Sequence, residues 1–182
     1  MSVLFFPDNT VLINFATINR MDLLQAVLNG KGAWCATVAD ECRRSSQHDG
    51  LEDMTLASDI FGTPMYPEGA EHVDIRVLRD QMARPGDGPR QHLGEAETIV
   101  IISRRQLTAY FVTDDREAAR VAFAEHGIRT ITTWDLLRAA HRAGRVDADA
   151  LWGYLATLRS AARGGPPDVA TREDFDRWVK AS

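Results

Sequence analysis

Two adjacent aspartates follow an apolar run in the stretch FVTDDRE, which covers residues 111–117. Asp114 and Asp115 place like charges side by side where a buried strand should end, and Thr113 and Arg116 flank them. Such a pair is either a capped surface turn or part of a metal site, because carboxylates held together raise each other's pKa unless a cation offsets their charge. The stretch alone leaves both interpretations open.

Further acidic residues occupy comparable places in the chain. Asp8 follows the apolar run VLFF, Glu41 lies in the helix predicted after AWCAT, and Glu95 and Glu97 begin the helix predicted for LGEAETIVII. Active sites in open α/β sheets lie at the carboxyl ends of the strands. Side chains that follow different strands can therefore converge at that edge. Each acid also has a structural interpretation, as a helix cap, a solvated helix residue or a first-turn acid stabilised by the helix dipole.

Converging carboxylates favour Mg²⁺ or Mn²⁺, cations that take oxygen ligands and also bind phosphate oxygens. Hydrolysis of a phosphodiester fits such a site, because the metal lowers the pKa of a bound water and stabilises charge on phosphorus. The two cysteines, Cys35 and Cys42, have no CxxC spacing and no clustered histidines around them, so we expect reduced thiols and no zinc site. We expect Cys42 on the inner side of a helix.

Short apolar runs alternate with amphipathic stretches along the chain. Strands are predicted at residues 3–6, 33–37, 107–112 and 128–132, each followed by a predicted helix. This alternation is typical of a parallel sheet covered on both faces. We therefore expect an α/β fold with three layers, α/β/α, around a central parallel sheet of about four to five strands.

Length and composition are those of a globular protein. The chain has 182 residues, 45% of them hydrophobic, and a net charge of −5. No apolar run approaches the ~20 residues that span a bilayer, and the N-terminus lacks the features of a signal peptide, so we expect no membrane association and a cytoplasmic location. The acidic charge does not by itself indicate nucleic-acid binding, although a metal site inverts the local sign.

The order of these motifs resembles a PIN domain, most closely the VapC-like toxins. The resemblance rests on FFPDNTVLINFATINRMDLL at 5–24, the V-x-x-E pattern in ATVADEC, an L-G-E-x-E helix start in LGEAETIVII, FVTDDRE, and GIRTITTWDLLRAA at 127–140. These motifs occur in the order that the family shows and cover about half of the chain.

The resemblance implies the roles of single residues. The catalytic and metal-binding quartet it implies is Asp8, Glu41, Glu97 and Asp115, with Glu95 as an alternative to Glu97 and Asp114 as a second ligand or a positioning residue. Asn9 and Thr113 would orient ligands or the attacking water, and Arg116 would contact a phosphate or pair with an acid. The candidate RNA contacts at the rim of the cleft are Arg43, Arg44, Arg104, Arg105 and Arg116.

The activity that the resemblance implies is a Mg²⁺- or Mn²⁺-dependent endoribonuclease that leaves a 5′-phosphate and a 3′-hydroxyl. It would be the toxin of a type II toxin–antitoxin pair, with RNA as substrate, a small antitoxin as partner and a homodimer as assembly. The alternatives are a catalytically silent PIN-like binding module and a non-toxin PIN nuclease in RNA processing. A phosphohydrolase with a D-x-D motif is a further alternative, but the sequence reads DNT at that place.

The chain is longer than a compact domain of this kind. We expect a PIN-like nuclease domain over residues 1–145, with an insertion at about 46–92 that forms a lid over the cleft or a dimer contact. Residues 146–182 would form a C-terminal helical extension that docks on the domain or on a partner.

Overall fold

A three-stranded parallel sheet lies at the centre of the computed structural model, which describes residues 3–181. The strands, in their order across the sheet, are β1 (Leu4–Pro7), β2 (Ala109–Val112) and β3 (Arg129–Ile131). Pro7 lies beside Val112, and Val112 lies beside Ile131, so all three strands end at the same level. The predicted α/β class with a parallel sheet is confirmed.

Helices make up most of the remaining structure. The α-helices among residues 3–181 are α1 (Asn9–Thr17), α2 (Met21–Leu28), α3 (Ala36–Ser45), α4 (Ala57–Phe61), α5 (Glu71–Met82), α6 (Leu93–Arg104), α7 (Arg116–His126), α8 (Thr133–Arg142), α9 (Ala148–Ser160) and α10 (Arg172–Lys180). A short 3₁₀ helix, Glu52–Leu56, precedes α4.

Hydrophobic side chains cover both faces of the sheet. Phe6 and Phe111 belong to a cluster with buried residues of α5, α6 and α7, whereas Val112 belongs to a second cluster with α1, α2, α3, α8, α9 and α10. Successive residues of a strand point to opposite faces, which explains why neighbours in β2 join different clusters. The three-layer α/β/α arrangement is therefore confirmed.

The predicted number of strands, four to five, is wrong for the described part of the chain. Of residues 33–37, predicted as a strand, Cys35 forms an isolated bridge with Met65, and Gly32, just before the segment, forms another with Phe5. The segment runs beside β1, where Ala33 N donates to Phe5 O at 2.9 Å. It cannot extend the pairing, because Cys35 is already the N-cap of α3. Cys35 and Cys42 are buried free thiols, as expected.

The segments predicted as an insertion and an extension pack on the rest of the chain. Helix α5 runs along α6, and the Arg104–Asp74 and Arg105–Glu71 ion pairs join the two helices. Helices α9 and α10 contribute to the same hydrophobic cluster as α1 and α8, with Phe175 fully buried in it. No helix in the described range 3–181 is both long and apolar enough to cross a bilayer.

Candidate metal centre

Each strand runs directly into the start of a helix at the carboxyl edge of the sheet. Asp8 follows β1 and is the N-cap of α1, Asp115 is the N-cap of α7, and Thr132 is the N-cap of α8. Helix N-termini carry partial positive charge and free N–H groups. Three of them at one edge favour anionic groups, whether carboxylates of the chain or phosphates of a ligand.

Asp8 is the most deeply buried carboxylate at this edge, with 3% of its surface exposed. One oxygen accepts from Val11 N at 2.8 Å, and the other accepts from the Thr113 hydroxyl at 2.6 Å. Burial raises the pKa of Asp8 to about 7, because the charged form loses its water, and the charges of Glu95 and Asp114 add to the rise. Thr113 thus holds Asp8 in place.

Asp114 is fixed by three donors. Its Oδ1 accepts from Thr133 N at 2.9 Å, and its Oδ2 accepts from Asn14 Nδ2 at 2.8 Å and from the Thr133 hydroxyl at 2.5 Å. Asn14 is a buried polar residue within α1, and buried amides need such partners. An asparagine inside the apolar stretch VLINFA is the sequence signal that would have identified it.

Asp115 forms a group with His92 and Glu95. Its Oδ1 caps α7 by accepting from Glu117 N at 2.7 Å and Ala118 N at 2.8 Å. One potential ligand atom from each of Asp115, Glu95 and His92 lies within 4.8 Å of the others. Burial is the main cause that raises the pKa of Glu95, and the charge of Asp115 raises it further, while His92 opposes the rise.

The sequence interpretation did not include His92. Its Nδ1 lies 3.4 Å from Glu95 Oε2, is buried, and has no hydrogen-bond partner among residues 3–181. Its Nε2 lies 3.3 Å from Asp87 Oδ2, in the loop before α6. Histidines that bind metals commonly direct their second nitrogen at a carboxylate in this way. The spacing of three residues between His92 and Glu95 was the available signal.

Glu41 approaches the site from α3. Burial raises its pKa to about 7, and the charge of Glu95 is the next largest cause. The approach depends on Gly94, because a Cβ added there would lie 3.0 Å from Glu41 Oε2 and 3.1 Å from Val38 Cγ2. The glycine of the L-G-E-x-E motif therefore lets α3 and α6 come together.

Glu97, by contrast, binds the start of α3. Its Oε1 accepts from Thr37 N at 3.0 Å, and its Oε2 accepts from the Thr37 hydroxyl. It is buried, with 4% exposure, and it lies outside the group formed by His92, Glu95 and Asp115. Of the two glutamates in the motif, Glu95 is the one that the structure brings to Asp115.

Asn9 and Arg116 were also singled out from the sequence, and they lie in different surroundings. Asn9 donates to Ser45 Oγ at 3.0 Å, and its buried Oδ1 has no hydrogen-bond partner within the described residues. Arg116 is exposed and lines a cavity with Asp114 and Trp134. It takes part in no ion pair with any residue from 3 to 181.

Only some of the predicted basic residues lie near the acids. Arg44 lines a cavity of about 230 Å³ beside Glu41, together with Arg90. Arg43, Arg44 and Arg90 all pair with Asp40. Arg104 and Arg105 lie at the far end of α6 in their ion pairs with α5, so the prediction that they line the cleft is wrong.

An arginine from the C-terminal part of the chain enters the acidic cavity. Arg163 lines a cavity of about 440 Å³ together with Thr10, Glu95, Asp114, Asp115 and Ala162. It is separated from Asp114 by a long stretch of sequence, and the pattern of residues gave no reason to place it there. The cavity thus combines three acids with one guanidinium.

The residues present fit a divalent metal. Asp8 and the partly buried Glu95, whose pKa values burial raises, share this edge with Asp114 and Asp115. Carboxylate oxygens suit Mg²⁺ and Mn²⁺, and an imidazole nitrogen suits a transition metal such as Mn²⁺. The buried Nδ1 of His92, which has no hydrogen-bond partner among residues 3–181, adds a nitrogen to this set of oxygen ligands.

A model of a known family covers most of this chain. It is described as a PIN domain and matches residues 5–163, which include all the acids above, the segment 46–92 and Arg163. Comparison with curated proteins and with solved structures found no match.

Proposed function

The chain belongs to the PIN domain family, whose members are generally metal-dependent nucleases, and we propose that it is a Mg²⁺- or Mn²⁺-dependent endoribonuclease. The observation that carries the proposal is the group of acids at the carboxyl edge of the sheet. A buried Asp8 with a pKa near 7 lies within the electrostatic reach of Glu95 and Asp114. Unless a cation or protons offset the charge, this arrangement is costly.

We assign the metal to the acids at the carboxyl edge of the sheet. Asp8, Glu95, Asp114 and Asp115 would hold it together with His92, and Glu41 would complete the site or position water. Glu97 has a positioning role in this assignment, since it binds the start of α3 and lies outside the group formed by His92, Glu95 and Asp115. The VapC-like prediction of Glu97 as a direct ligand remains the competing assignment.

The chain's own groups would serve phosphodiester hydrolysis in distinct ways. The metal, when bound, supplies a Lewis acid that lowers the pKa of water and offsets charge on phosphorus. Thr113 orients Asp8, and Asn14 with Thr133 orients Asp114. The N-termini of α1, α7 and α8 direct partial positive charge at the phosphate. Arg116 at the rim would contact a second phosphate, and the products would be a 5′-phosphate and a 3′-hydroxyl.

Metal-stripped protein provides the test. RNA should remain intact in EDTA, and cleavage should return when Mg²⁺ or Mn²⁺ is added in excess. Sequencing of product ends should find 5′-phosphates. Cleavage that is as fast in EDTA as in Mn²⁺ would contradict the proposal.

The finer assignment is a toxin of a type II toxin–antitoxin pair. It follows from the resemblance of LGEAETIVII and FVTDDRE to VapC-like sequences, and it brings with it a small antitoxin partner, a homodimer and a cytoplasmic location. Expression of the chain alone should then arrest growth, and co-expression of a gene encoded beside it should relieve the arrest. A chain that is harmless but processes RNA would instead be a non-toxin PIN nuclease.

The catalytically silent binding module predicts a different result. The buried acids would then be remnants, and titration calorimetry with Mn²⁺ should give no specific heat. We favour the nuclease, because His92, Glu95 and Asp115 each bring a potential ligand atom within 4.8 Å of the others.

A further inference from the structure

Arg163 reaches the acidic cavity from the turn that ends α9. It follows α9, and its own N–H donates to Leu158 O at 2.8 Å. The residues on either side, Ala162 with φ of 56° and Gly164 with φ of 79°, have left-handed backbone conformations. Ala162 N also donates to Arg159 O at 3.0 Å, so these bonds and the left-handed residue form a common helix C-terminal motif that places Arg163 just beyond α9.

The Arg163 side chain is anchored at one edge of its guanidinium. Nε donates to Asn14 Oδ1, and Nη2 lies 3.4 Å from Thr10 O. Asn14 in turn donates to Asp114, so a chain of hydrogen bonds connects Arg163 to the acid and fixes its direction.

The guanidinium forms no ion pair with the acids around it. Burial lowers the pKa of Arg163, and the charges of Asp114 and Asp8 oppose this change, yet no carboxylate among residues 3–181 lies within salt-bridge distance of the guanidinium. Nη1 has no hydrogen-bond partner within the same range. A half-buried guanidinium with unused donors beside acids is suited to an anion that enters the cavity from outside.

We propose that Arg163 binds a backbone phosphate of RNA in the acidic cavity. The inference rests on the proposed nuclease function and names the residue that takes the substrate phosphate opposite the acids. Glu95, Asp114 and Asp115 line the same cavity as the guanidinium, so a phosphate there meets the metal-binding acids on one side and Arg163 on the other. The planar fork of arginine matches two phosphate oxygens, which lysine cannot do as well.

The test is the steady-state cleavage of a short fluorescent single-stranded RNA of mixed sequence by R163M. Loss of a charged hydrogen bond to phosphate should lower kcat/KM about tenfold to a hundredfold, and most of the loss should appear in KM. The slope of log kcat/KM against log salt should become shallower by about 0.7, the value for one phosphate contact on a single strand. Mn²⁺ affinity, measured by calorimetry without RNA, should be unchanged or tighter, because a positive charge beside the acids is removed.

R145M is the matched control. Arg145 is exposed beyond the end of α8, about 15 Å along that helix from the site, and its loss removes the same charge. It should leave kcat/KM and the salt slope unchanged. R163K should bind RNA several-fold more weakly than the wild type. If R163M does not fold, R163K is the variant that tests whether Arg163 binds the RNA phosphate.

Three results would overturn the inference. The first is a slope of log kcat/KM against log salt for R163M that equals that of the wild type. The second is a loss of R163M activity that is explained by a loss of Mn²⁺ affinity or of thermal stability. The third is an R163K variant with the wild-type KM. A wild-type protein that cleaves no RNA with any metal would instead defeat the proposed function itself. The two failures are therefore distinguishable.

Discussion

At the scale of single residues, the L-G-E-x-E motif supplies two acids that face different ways. Glu95 and Glu97 are two positions apart in α6, and residues at that spacing point to roughly opposite sides of a helix. Glu95 therefore faces His92 and Asp115, and Glu97 faces Thr37. The sequence alone identified both as candidates, but the choice between them depends on where α6 begins and how it packs on α3.

Alanine substitutions should separate the two roles. E97A leaves the Thr37 N–H without its acceptor, so we expect the free energy of unfolding to fall by about 1–3 kcal/mol. E95A removes one of several repelling buried charges, so stability of the metal-free protein should hold or rise, while Mn²⁺ affinity falls tenfold or more. Urea unfolding and calorimetry measure these quantities. The reverse pattern would assign the metal to Glu97.

His92 should influence which metal the site prefers. An imidazole nitrogen binds Mn²⁺ better than Mg²⁺, which favours oxygen ligands and its own waters. We therefore expect H92A to weaken Mn²⁺ binding several-fold more than Mg²⁺ binding, as measured by calorimetry. The exposed His48 provides the control variant, H48A, which should change neither affinity. Equal losses for both metals in H92A would remove His92 from the set of ligands.

At the scale of elements, helix starts were the most predictable feature of this chain. Asp8 before α1 and the box formed by Thr132 and Asp135 at α8 have the geometry that their residue types indicate. The predicted strand at 33–37 was wrong. A short apolar run is typical both of a buried strand and of a segment that forms only isolated bridges. The early start of α3, with Cys35 as its N-cap, is what prevents this segment from pairing along its whole length. The loop from Asp87 to His92 has no hydrophobic periodicity from which its conformation could be predicted.

Gly94 should be sensitive to the smallest added side chain. In G94A the new Cβ would lie 3.0 Å from Glu41 Oε2 and 3.1 Å from Val38 Cγ2, so these side chains must shift by a few tenths of an ångström, and we expect a cost of about 1–3 kcal/mol. G153A is the control, because Gly153 lies within α9 with no atom near its added Cβ. It should stabilise the protein by about 0.5–1 kcal/mol through helix propensity. A G94A protein as stable as G153A would contradict the close approach.

At the scale of the whole molecule, the site depends on residues that are remote in sequence. Asn14 and Arg163 are 149 positions apart and share a hydrogen bond. The acids at strand ends could be predicted, because parallel strands bring their carboxyl ends together. The position of Arg163 at the site could not be predicted. It depends on how α9 packs across α1 and on the turn after α9, which the residue types do not specify.

The acids should make the metal-free protein more stable at lower pH. The pKa values of Asp8 and Glu41 lie near 7 in the folded chain, above their ordinary values of 3.8 and 4.5. The folded state thus binds protons that the unfolded state releases, and stability falls as pH rises through this range. Unfolding by urea in EDTA should give a larger free energy at about pH 5.5 than at about pH 7.5, and D8N should reduce the difference.

Bound metal should reverse this trend, because it binds the ionised carboxylates and competes with protons. The gain in melting temperature on adding Mn²⁺ should therefore grow from about pH 5.5 to about pH 7.5. A metal-free protein that gains stability across that range would contradict the buried, mutually repelling arrangement of the acids.

The most direct measurement is the rate of RNA cleavage by D8N as a function of Mn²⁺ concentration, beside the wild type. Asparagine is also a good helix N-cap and is close in shape to aspartate, so α1 should form normally, which circular dichroism checks. We predict that the wild-type rate saturates with Mn²⁺ and that D8N cleaves at least a thousandfold more slowly at every concentration, as expected when a metal-binding charge is lost. A folded D8N protein that cleaves RNA at the wild-type rate would contradict a metal-dependent nuclease centred on Asp8.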